Sequence, residues 1–378
     1  MYADVFPVVE TSAVALVPAW NEEKCIAQTI DSLMGQAKLH FMYVLVIANN
    51  CTDNTASIVE SLQQKYGDDK LRLIVMEHND GLKAGALNEG FRYVLAQQEQ
   101  PAFIFSMDGD TIVDSRILWE GAKKFNREPK TGGICSAYRT MPLKKLEERD
   151  GKLSLWKKFL WMEQNIEFSL ANAWRIELLK SARVLPGVST LYRTVALHQV
   201  ALLPDHDDGP WVLNNRVEDY ILTLELKDLG WDVKSYHDMV SWSDVPLDLK
   251  TLRKQRERWY SGTVDVLRTR GLRKHSRYEV FTVILLMVNL FMRVLLIAGY
   301  SALLMKGIPI QWVSPFLVLP VVASLMQVTR LKKYGDQVSK WQYFFTATLV
   351  VVELYATYRE YLYARAVWLS YVHPNRGW

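Results

Sequence analysis

The chain has 378 residues, of which 23% are charged and 49% hydrophobic, and its net charge is +4. That length accommodates a catalytic core with an appendage, so two domains are expected, and so small a charge gives no electrostatic case for a nucleic-acid partner. Three scattered cysteines, Cys25, Cys51 and Cys135, lack disulfide or metal-ligand spacing and fit a reducing compartment. The start, Met1-Tyr2-Ala3-Asp4, has neither a basic nor an apolar leader region, so no cleaved signal peptide is expected.

Short apolar runs then alternate with helical stretches. Ala13–Val17 reads as a strand, followed by a helix over about Glu22–Met34. Tyr43–Ala48 is the next strand, with a helix from Asn54 to Tyr66. Leu71–Met76 is a third, followed by a helix around Ala84–Leu95, and Phe103-Ile104-Phe105-Ser106-Met107 is a fourth, ending just before Asp108. This alternation predicts βαβ units and a mainly parallel sheet. Ligands of such sheets sit beyond the carboxyl ends of the strands, where Pro18–Glu22, Asn49–Asp53 and Asp108–Asp110 fall.

Lys152–Arg175 reads as an aromatic-rich helix carrying Trp156, Phe159, Trp161, Phe168 and Trp174, expected to pack on the core or a membrane surface. Asp205–Gly209 reads as an acidic surface loop, because its His206 has no partner at metal-ligand spacing. A helix over Tyr220–Leu229 opens with Glu218-Asp219. Basic residues cluster between Arg253 and Arg277, and the composition changes after Gly271. Phe281–Leu304 is long enough to span a bilayer, with Arg293 as its only charge. Trp312–Val328 just reaches spanning length, with Pro315 and Pro320 expected to kink it. Trp341–Val352 continues apolar until Glu353, Arg359 and Glu360, and reads equally as a short span or an interfacial helix. The loop after the first run carries Lys306, and the next carries Arg330, Lys332, Lys333 and Lys340. The positive-inside rule then places the preceding domain and the second loop in the cytosol.

Three polar motifs follow one another in a fixed order: Asp108-Gly109-Asp110, Val217-Glu218-Asp219 and Gln255-Arg256-Glu257-Arg258-Trp259. Carboxylates just past a buried strand can hold a divalent metal against a diphosphate. Taken alone, Asp-Gly-Asp is more often a turn; its place behind a strand favours the metal. Glu218-Asp219 can supply a base, although carboxylates at a helix start also favour the helix dipole. Gln255, Arg258 and Trp259 share one helix face, where arginine can grip a pyrophosphate and the indole can seat a sugar ring. An amphipathic helix at a membrane surface is an equally physical account of that segment, and both can hold. Together these are the parts needed to move a sugar off a nucleotide.

The order D, DxD, ED, QxxRW resembles the family 2 glycosyltransferases, in particular the branch of cellulose, chitin and hyaluronan synthases. The likeness runs from about Val14 to Gly271 and includes Pro18-Ala19-Trp20-Asn21-Glu22, Asn49-Asn50-Cys51-Thr52-Asp53, Lys83-Ala84-Gly85-Ala86-Leu87-Asn88, Leu185-Pro186-Gly187 and Trp242-Ser243-Asp244-Val245-Pro246. It implies a GT-A, Rossmann-like α/β domain over residues 1–272, then a membrane region of two to three helices over 273–378. It further implies Asp219 as general base with Glu218 beside it, and Mg2+ or Mn2+ on Asp110, with Asp108 nearer the ribose. Pro18, Asn21, Glu22, Asn49, Asp53, Lys83, Asp108 and Arg258 would bind the nucleotide sugar, and Gly187, Gln255 and Trp259 the acceptor. Asn49 stands where many relatives carry aspartate, but its carbonyl can still accept from a uracil imide. Val217 replaces the usual threonine.

The expectation is therefore an inverting, metal-dependent transferase moving a sugar from a UDP-sugar to a polysaccharide or lipid acceptor. It would be multi-pass in the cytoplasmic (inner) membrane, in contact with membrane lipid, with no nucleic-acid partner and a homo-oligomer left open. A catalytically silent, membrane-tethered scaffold is the competing reading. A dinucleotide oxidoreductase is disfavoured because Pro18-Ala19-Trp20-Asn21, not a glycine-rich turn, follows the first strand.

Overall fold

The computed structural model describes residues 11–179, 181–206, 208–213, 215–307, 318–334, 338–347 and 350–372. Two compact units result: residues up to 152 with 171–244, and 153–170 with 245 onward.

The first unit is built on an eight-stranded sheet of order β3-β2-β1-β4-β7-β6-β8-β5. Its strands are β1 (Ala13–Ala19), β2 (Val44–Asn49), β3 (Leu71–Met76), β4 (Phe103–Met107), β5 (Thr111–Val113), β6 (Thr131–Thr140), β7 (Ser189–Arg193) and β8 (Asp232–Ser243). β3, β2, β1 and β4 run parallel, as the βαβ pattern requires. β7 reverses between β4 and β6, β6 and β8 are parallel, and the short β5 closes the edge antiparallel to β8. The sheet is thus mainly parallel with a mixed far half.

Every residue of β1 is buried, because helices cover both faces. Ala13, Ala15, Val17 and Ala19 join one apolar layer with Ile26 and Ile30 of helix α1 (Ile26–Met34), Val59 of α2 (Thr55–Tyr66) and Phe125 of a later helix. Val14 and Leu16 point to the other layer, with Leu87 and Phe91 of α3 (Leu82–Leu95). Phe125 belongs to α4 (Ile117–Arg127), which is followed by α5 (Leu143–Asp150) and α6 (Leu155–Ala173). Leu197 of α7 (Thr194–Ala201) and Leu222 of α8 (Glu218–Asp228) complete the second layer. This period-two division is what a doubly covered strand demands.

Pairing of β1 with β4 stops at Leu16↔Ser106, before Pro18, which has no N–H to offer. β1 therefore has partners that leave it in opposite directions in chain order, and a crevice opens past its carboxyl end. The first helix starts at Ile26 rather than Glu22, because Asn21 is left-handed at φ 57 and Glu22–Cys25 form a turn.

α6 is continued by a π-helical turn, Trp174–Leu179. Of its aromatics, Trp161 and Phe168 are buried, whereas Trp156 stays half exposed and stacks on Phe159 with ring centroids 5.4 Å apart. The loop expected at the surface around His206 has that ring turned inward instead. His206 is 5% exposed, with Nε2 3.0 Å from Glu225 Oε2 and Nδ1 3.0 Å from the Gly209 carbonyl. A buried imidazole needs both nitrogens satisfied, and the turn supplies one partner while α8 supplies the other.

The second unit holds most of α6, then α9 (Leu249–Arg270), α10 (Arg277–Met305), α11 (Val318–Tyr334), α12 (Lys340–Ala347) and α13 (Val350–Val372). α9, the helix of Gln255 and Trp259, starts on Asp248, whose carboxylate accepts from the Thr251 N–H at 2.9 Å. Among the described residues, one helix is long and apolar enough to cross a membrane: Arg277–Leu295, with mean hydropathy 1.8 and 6% of it buried. Of the second expected run, Trp312–Val328, residues 312–317 lie outside the described residues. Met1–Asp4, where no leader is expected, also lie outside them.

Salt bridges tie the helices of this unit together. Glu167 on α6 accepts from Arg256 Nη2 of α9 at 2.9 Å, from Arg359 Nη1 of α13 at 2.9 Å and from the Tyr355 hydroxyl at 2.9 Å. Burial alone would raise its carboxyl, but Arg256 and Arg359 outweigh burial and hold it down at about 2. Arg365 of α13 pairs with Glu257, and Arg293 of α10 pairs with Glu353 and Glu360.

Candidate active site

The crevice past β1 is bounded by three loops, each fixed by side-chain bonds. Asn21 reaches from the β1 loop to the β2 loop, its Oδ1 accepting from the Thr52 N–H at 2.8 Å. Asp53 ends the same exchange. One of its oxygens accepts from the Thr55 N–H and hydroxyl at 3.0 and 2.6 Å, the other from the Glu23 N–H at 3.1 Å. Burial pushes the Asp53 carboxyl up, and these Thr55 and Glu23 donors more than reverse it, so it is held below its ordinary value. Asn49 is buried and its carbonyl accepts from Asn79 Nδ2 at 2.7 Å. Asn79 also clamps Asn50 on both sides, N–H to Oδ1 and carbonyl from Nδ2, each at 2.9 Å. Asn79 was not foreseen from the sequence. Asn-Asp-Gly after a strand was the signal for a side-chain-supported turn there.

Asp108-Gly109-Asp110 lies beside this crevice. Thr29 of α1 donates to the Gly109 carbonyl at 2.7 Å. Gly109 lets the turn come close to Glu22, since a Cβ there would lie 3.0 Å from Cγ of Glu22 and push on it. That close approach brings Glu22 into the acidic group with Asp108, Asp110 and Asp244, the last delivered by β8 through its pairing with β5. Lys83 pairs with Asp108, and Arg149 pairs with Asp244 at 2.7 Å. Among the described residues, Asp110 accepts from the hydroxyls of Thr111 and Ser243, both at 3.3 Å.

The electrostatic outcome is uneven. Burial, then Asp110 and Asp108, push the Glu22 carboxyl up to about 8. Burial, then Asp108 and Asp244, push Asp110 up to about 7, with Lys83 opposing. Asp244 is raised by burial in spite of Arg149. Two carboxylates crowded by like charges, with no ion pair of their own among the described residues, match the donor chemistry of a divalent ion. Among the described residues no group of three His, Cys, Asp or Glu is already gathered as a cage. Glu22 and Asp110 could therefore supply part of a coordination shell, with a diphosphate and water supplying the rest. Arg149 and Asp244 were not assigned roles from the sequence. They meet only because α5 and the end of β8 are neighbours in space. A depression of about 480 Å³ lies against Glu22, Asp53, Arg149 and Asp244.

Gly187 joins the two halves of the site. Its N–H donates to Asp219 Oδ2 at 3.2 Å, and a Cβ on it would lie 2.5 Å from Lys83 Nζ and 3.9 Å from Asp108 Oδ1. Asp108 itself donates its N–H to the Val188 carbonyl at 3.2 Å, extending the β4–β7 pairing to the site. The other oxygen of Asp219 accepts from the Tyr220 N–H at 2.8 Å at the start of α8. Burial, then Glu218, raise Asp219 to about 6 against the pull of Lys83. Asp219, Lys83, Asp108 and Gly187 therefore converge, with Glu22, Asp110 and Asp244 on the far side of Asp108.

Gln255, Arg258 and Trp259 lie on α9 in the second unit. Arg258 is exposed. The buried cation of that motif is Arg256, whose guanidinium lies 4.5 Å from the Trp259 ring centroid and donates to Gln255 Oε1. Sequence reasoning passed over Arg256 because it stands at a variable place in the motif.

The chain is similar to several known proteins. Poly-beta-1,6-N-acetyl-D-glucosamine synthase of Staphylococcus epidermidis is 26% identical over 255 residues, 67% of this chain and 54% of that protein. The synthase of Staphylococcus aureus strain COL gives the same identity and coverage. The chain thus spans about half the length of these relatives. Among solved structures, the mannosyltransferase PcManGT of Pyrobaculum calidifontis, in complex with GDP-Man and Mn2+, matches with a TM-score of 0.56 and 16% identity, over 96% of this chain and 88% of that one. It shares the GT-A-like fold. The family model described as glycosyltransferase like family 2 matches residues 12–262, and the chain belongs to that family of glycosyltransferases.

Proposed function

We propose that this glycosyltransferase is an inverting, metal-dependent enzyme that moves a sugar from a UDP-sugar to a glycan or lipid acceptor at a membrane. The observation that carries this reading is the convergence at Gly187, which sets Asp219 on one side of its peptide and the Lys83–Asp108 pair on the other. A base and a donor-binding pair separated by one peptide suit a single in-line displacement. Asp219 takes the proton from the acceptor hydroxyl, and burial, with Glu218 beside it, holds its carboxyl at about 6. Pro18, Asn21, Asn49 and Asp53 line the base and ribose end. Lys83 and Arg258 face diphosphate charge, and Gly187, Gln255 and Trp259 serve the acceptor.

Mg2+ or Mn2+ would be held by Asp110 and Asp108, and the structure adds Glu22 as a further carboxylate of suitable character. Such an ion, when bound, offsets the charge of the departing diphosphate. Residues 1–272 would act as the catalytic domain and 273–378 as the membrane region, in a multi-pass arrangement with the catalytic domain in the cytosol. The apolar α10, its preceding basic run and the basic end of α11 support that placement.

The test is to present purified protein with UDP-sugars and manganese and weigh the product. UDP-N-acetylglucosamine comes first, because the staphylococcal relatives are named for a polymer of that sugar. Mass added to an acceptor, dependent on the metal, is the expected result. Tight nucleotide binding with no turnover on any donor would leave the scaffold reading instead.

A further inference from the structure

Asn79 uses every polar group it has. Its N–H donates to Asn50 Oδ1 and its carbonyl accepts from Asn50 Nδ2, each at 2.9 Å. Its side-chain Oδ1 accepts from the Gly81 N–H at 2.9 Å, and its Nδ2 donates to the Leu82 carbonyl and to Asn49 Oδ1, each at 2.7 Å. Gly85 leaves room for this amide, since a Cβ there would lie 2.3 Å from Asn79 Oδ1. The Gly81 and Leu82 backbones settle which way round the amide lies, because an N–H can only donate and a carbonyl can only accept. Asn79 therefore turns a donor toward Asn49, and Asn49 must answer with its carbonyl. Flipped, the Asn49 amide would set one NH2 against another. The carbonyl expected to accept from a uracil imide is thus already engaged.

The consequence falls on the other end of the Asn49 amide. Asn49 closes β2 at its carboxyl end, on the side of the sheet that Leu45 and Ile47 share with α3. Among the described residues nothing accepts from its Nδ2, so that donor is the group left for a ligand. We infer that Asn49, held by Asn79, presents an N–H to the base of the nucleotide, so that the pocket takes cytosine as well as uracil. This rests on the base end of the proposed function and deepens it, by naming the donor class as pyrimidine nucleoside diphosphates of either base. Uracil carries a donor N3–H beside an acceptor O4, and cytosine an acceptor N3 beside a donor N4 amine. A fixed donor finds an acceptor on both, O4 of uracil or N3 of cytosine. An aspartate at 49 would behave otherwise. One oxygen would accept from Asn79, while the other would accept the uracil imide and repel the N3 lone pair of cytosine. Asn49 is the specificity-determining side chain of this subsite, and Asn79 is its positioning residue.

The experiment is calorimetric titration of the full chain, with manganese present, by UDP and by CDP. The two share ribose and diphosphate, so the ratio of their dissociation constants isolates the base. In the wild type the two constants should lie within about tenfold of each other. Asn49→Asp should move the ratio toward UDP by about ten- to a hundredfold, the worth of one hydrogen bond to a charged group. Asn79→Asp should move it the same way, because a carboxylate at 79 accepts from Asn49 Nδ2 and turns the Asn49 carbonyl toward the base. A purely structural role for Asn79 would weaken both nucleotides together and leave the ratio in place. A wild-type preference for UDP of about a hundredfold, or a ratio that neither variant moves, overturns the inference and leaves the UDP-sugar reading standing. Binding of neither nucleotide removes that reading, and the inference with it.

Discussion

Replacing Asp219 with asparagine separates the two things this residue can do. At pH 8 the wild-type carboxyl is ionised, and raising it from an ordinary 3.8 to about 6 costs the folded state about 3 kcal/mol. Asparagine removes that cost. It also turns one of two accepting oxygens into a donor, and the Gly187 N–H at 3.2 Å is the weaker of the two bonds to lose. A buried N–H left without its acceptor costs about 1–3 kcal/mol. The two effects offset, so Asp219→Asn should change stability by no more than about 2 kcal/mol in either direction. Turnover should behave otherwise, because an amide cannot take a proton and general-base contributions are typically ~10²–10⁴-fold. UDP affinity, read by calorimetric titration on the same preparation, should stay near the wild-type value. In the wild type, kcat/KM should rise with pH through about 6, as the base loses its proton. Near-wild-type turnover in the variant would refute the argument and reduce Glu218-Asp219 to a helix start, where asparagine serves as well.

Asp110→Asn should abolish transfer while the domain still folds, since it removes a crowded carboxylate that burial already penalises; full metal-dependent activity would take Asp110 out of the mechanism. The same variant should lower the Glu22 pKa, measurable by carboxyl NMR, because Asp110 is the largest charge acting on it. Glu167→Gln leaves the buried Arg256 and the partly buried Arg359 without their counter-charge and should cost about 3–5 kcal/mol, read by thermal or denaturant unfolding. A cysteine in place of Lys306 should be labelled only from the side opposite the cytosol; labelling from the cytosolic side alone would mean that α10 does not cross.

The parallel half of the sheet was legible because β1 to β4 are continuous apolar runs between turn-forming residues, and β3 and β4 begin and end where the pattern says. The strand-end positions of Pro18–Glu22, Asn49–Asp53 and Asp108–Asp110 followed from that. The mixed half was not legible. β5 has three residues, too few to carry a period, and β8 shifts register against β6 between Ser136 and Ala137. Asp244 enters the site only through that pairing, so its role could not be read from its motif. Asn79 and Arg149 act through bonds to residues far along the chain, which no local spacing records. In the C-terminal region, hydropathy found α10 because the single charge of its Phe281–Leu304 run dilutes little, but it cannot register that charges on α13 are paired.

The order of the elements along the chain gives that pairing a direction in time. Glu167, Glu257 and Arg293, the counter-charges of α13, all precede it in sequence. As the chain leaves the ribosome, each of them is already made before the first residue of α13 appears. α13 is therefore received by a prepared acceptor, and its own charges serve as the address that selects its place. Altering one of the three earlier residues would be felt only once α13 is made, as a helix with nowhere to dock.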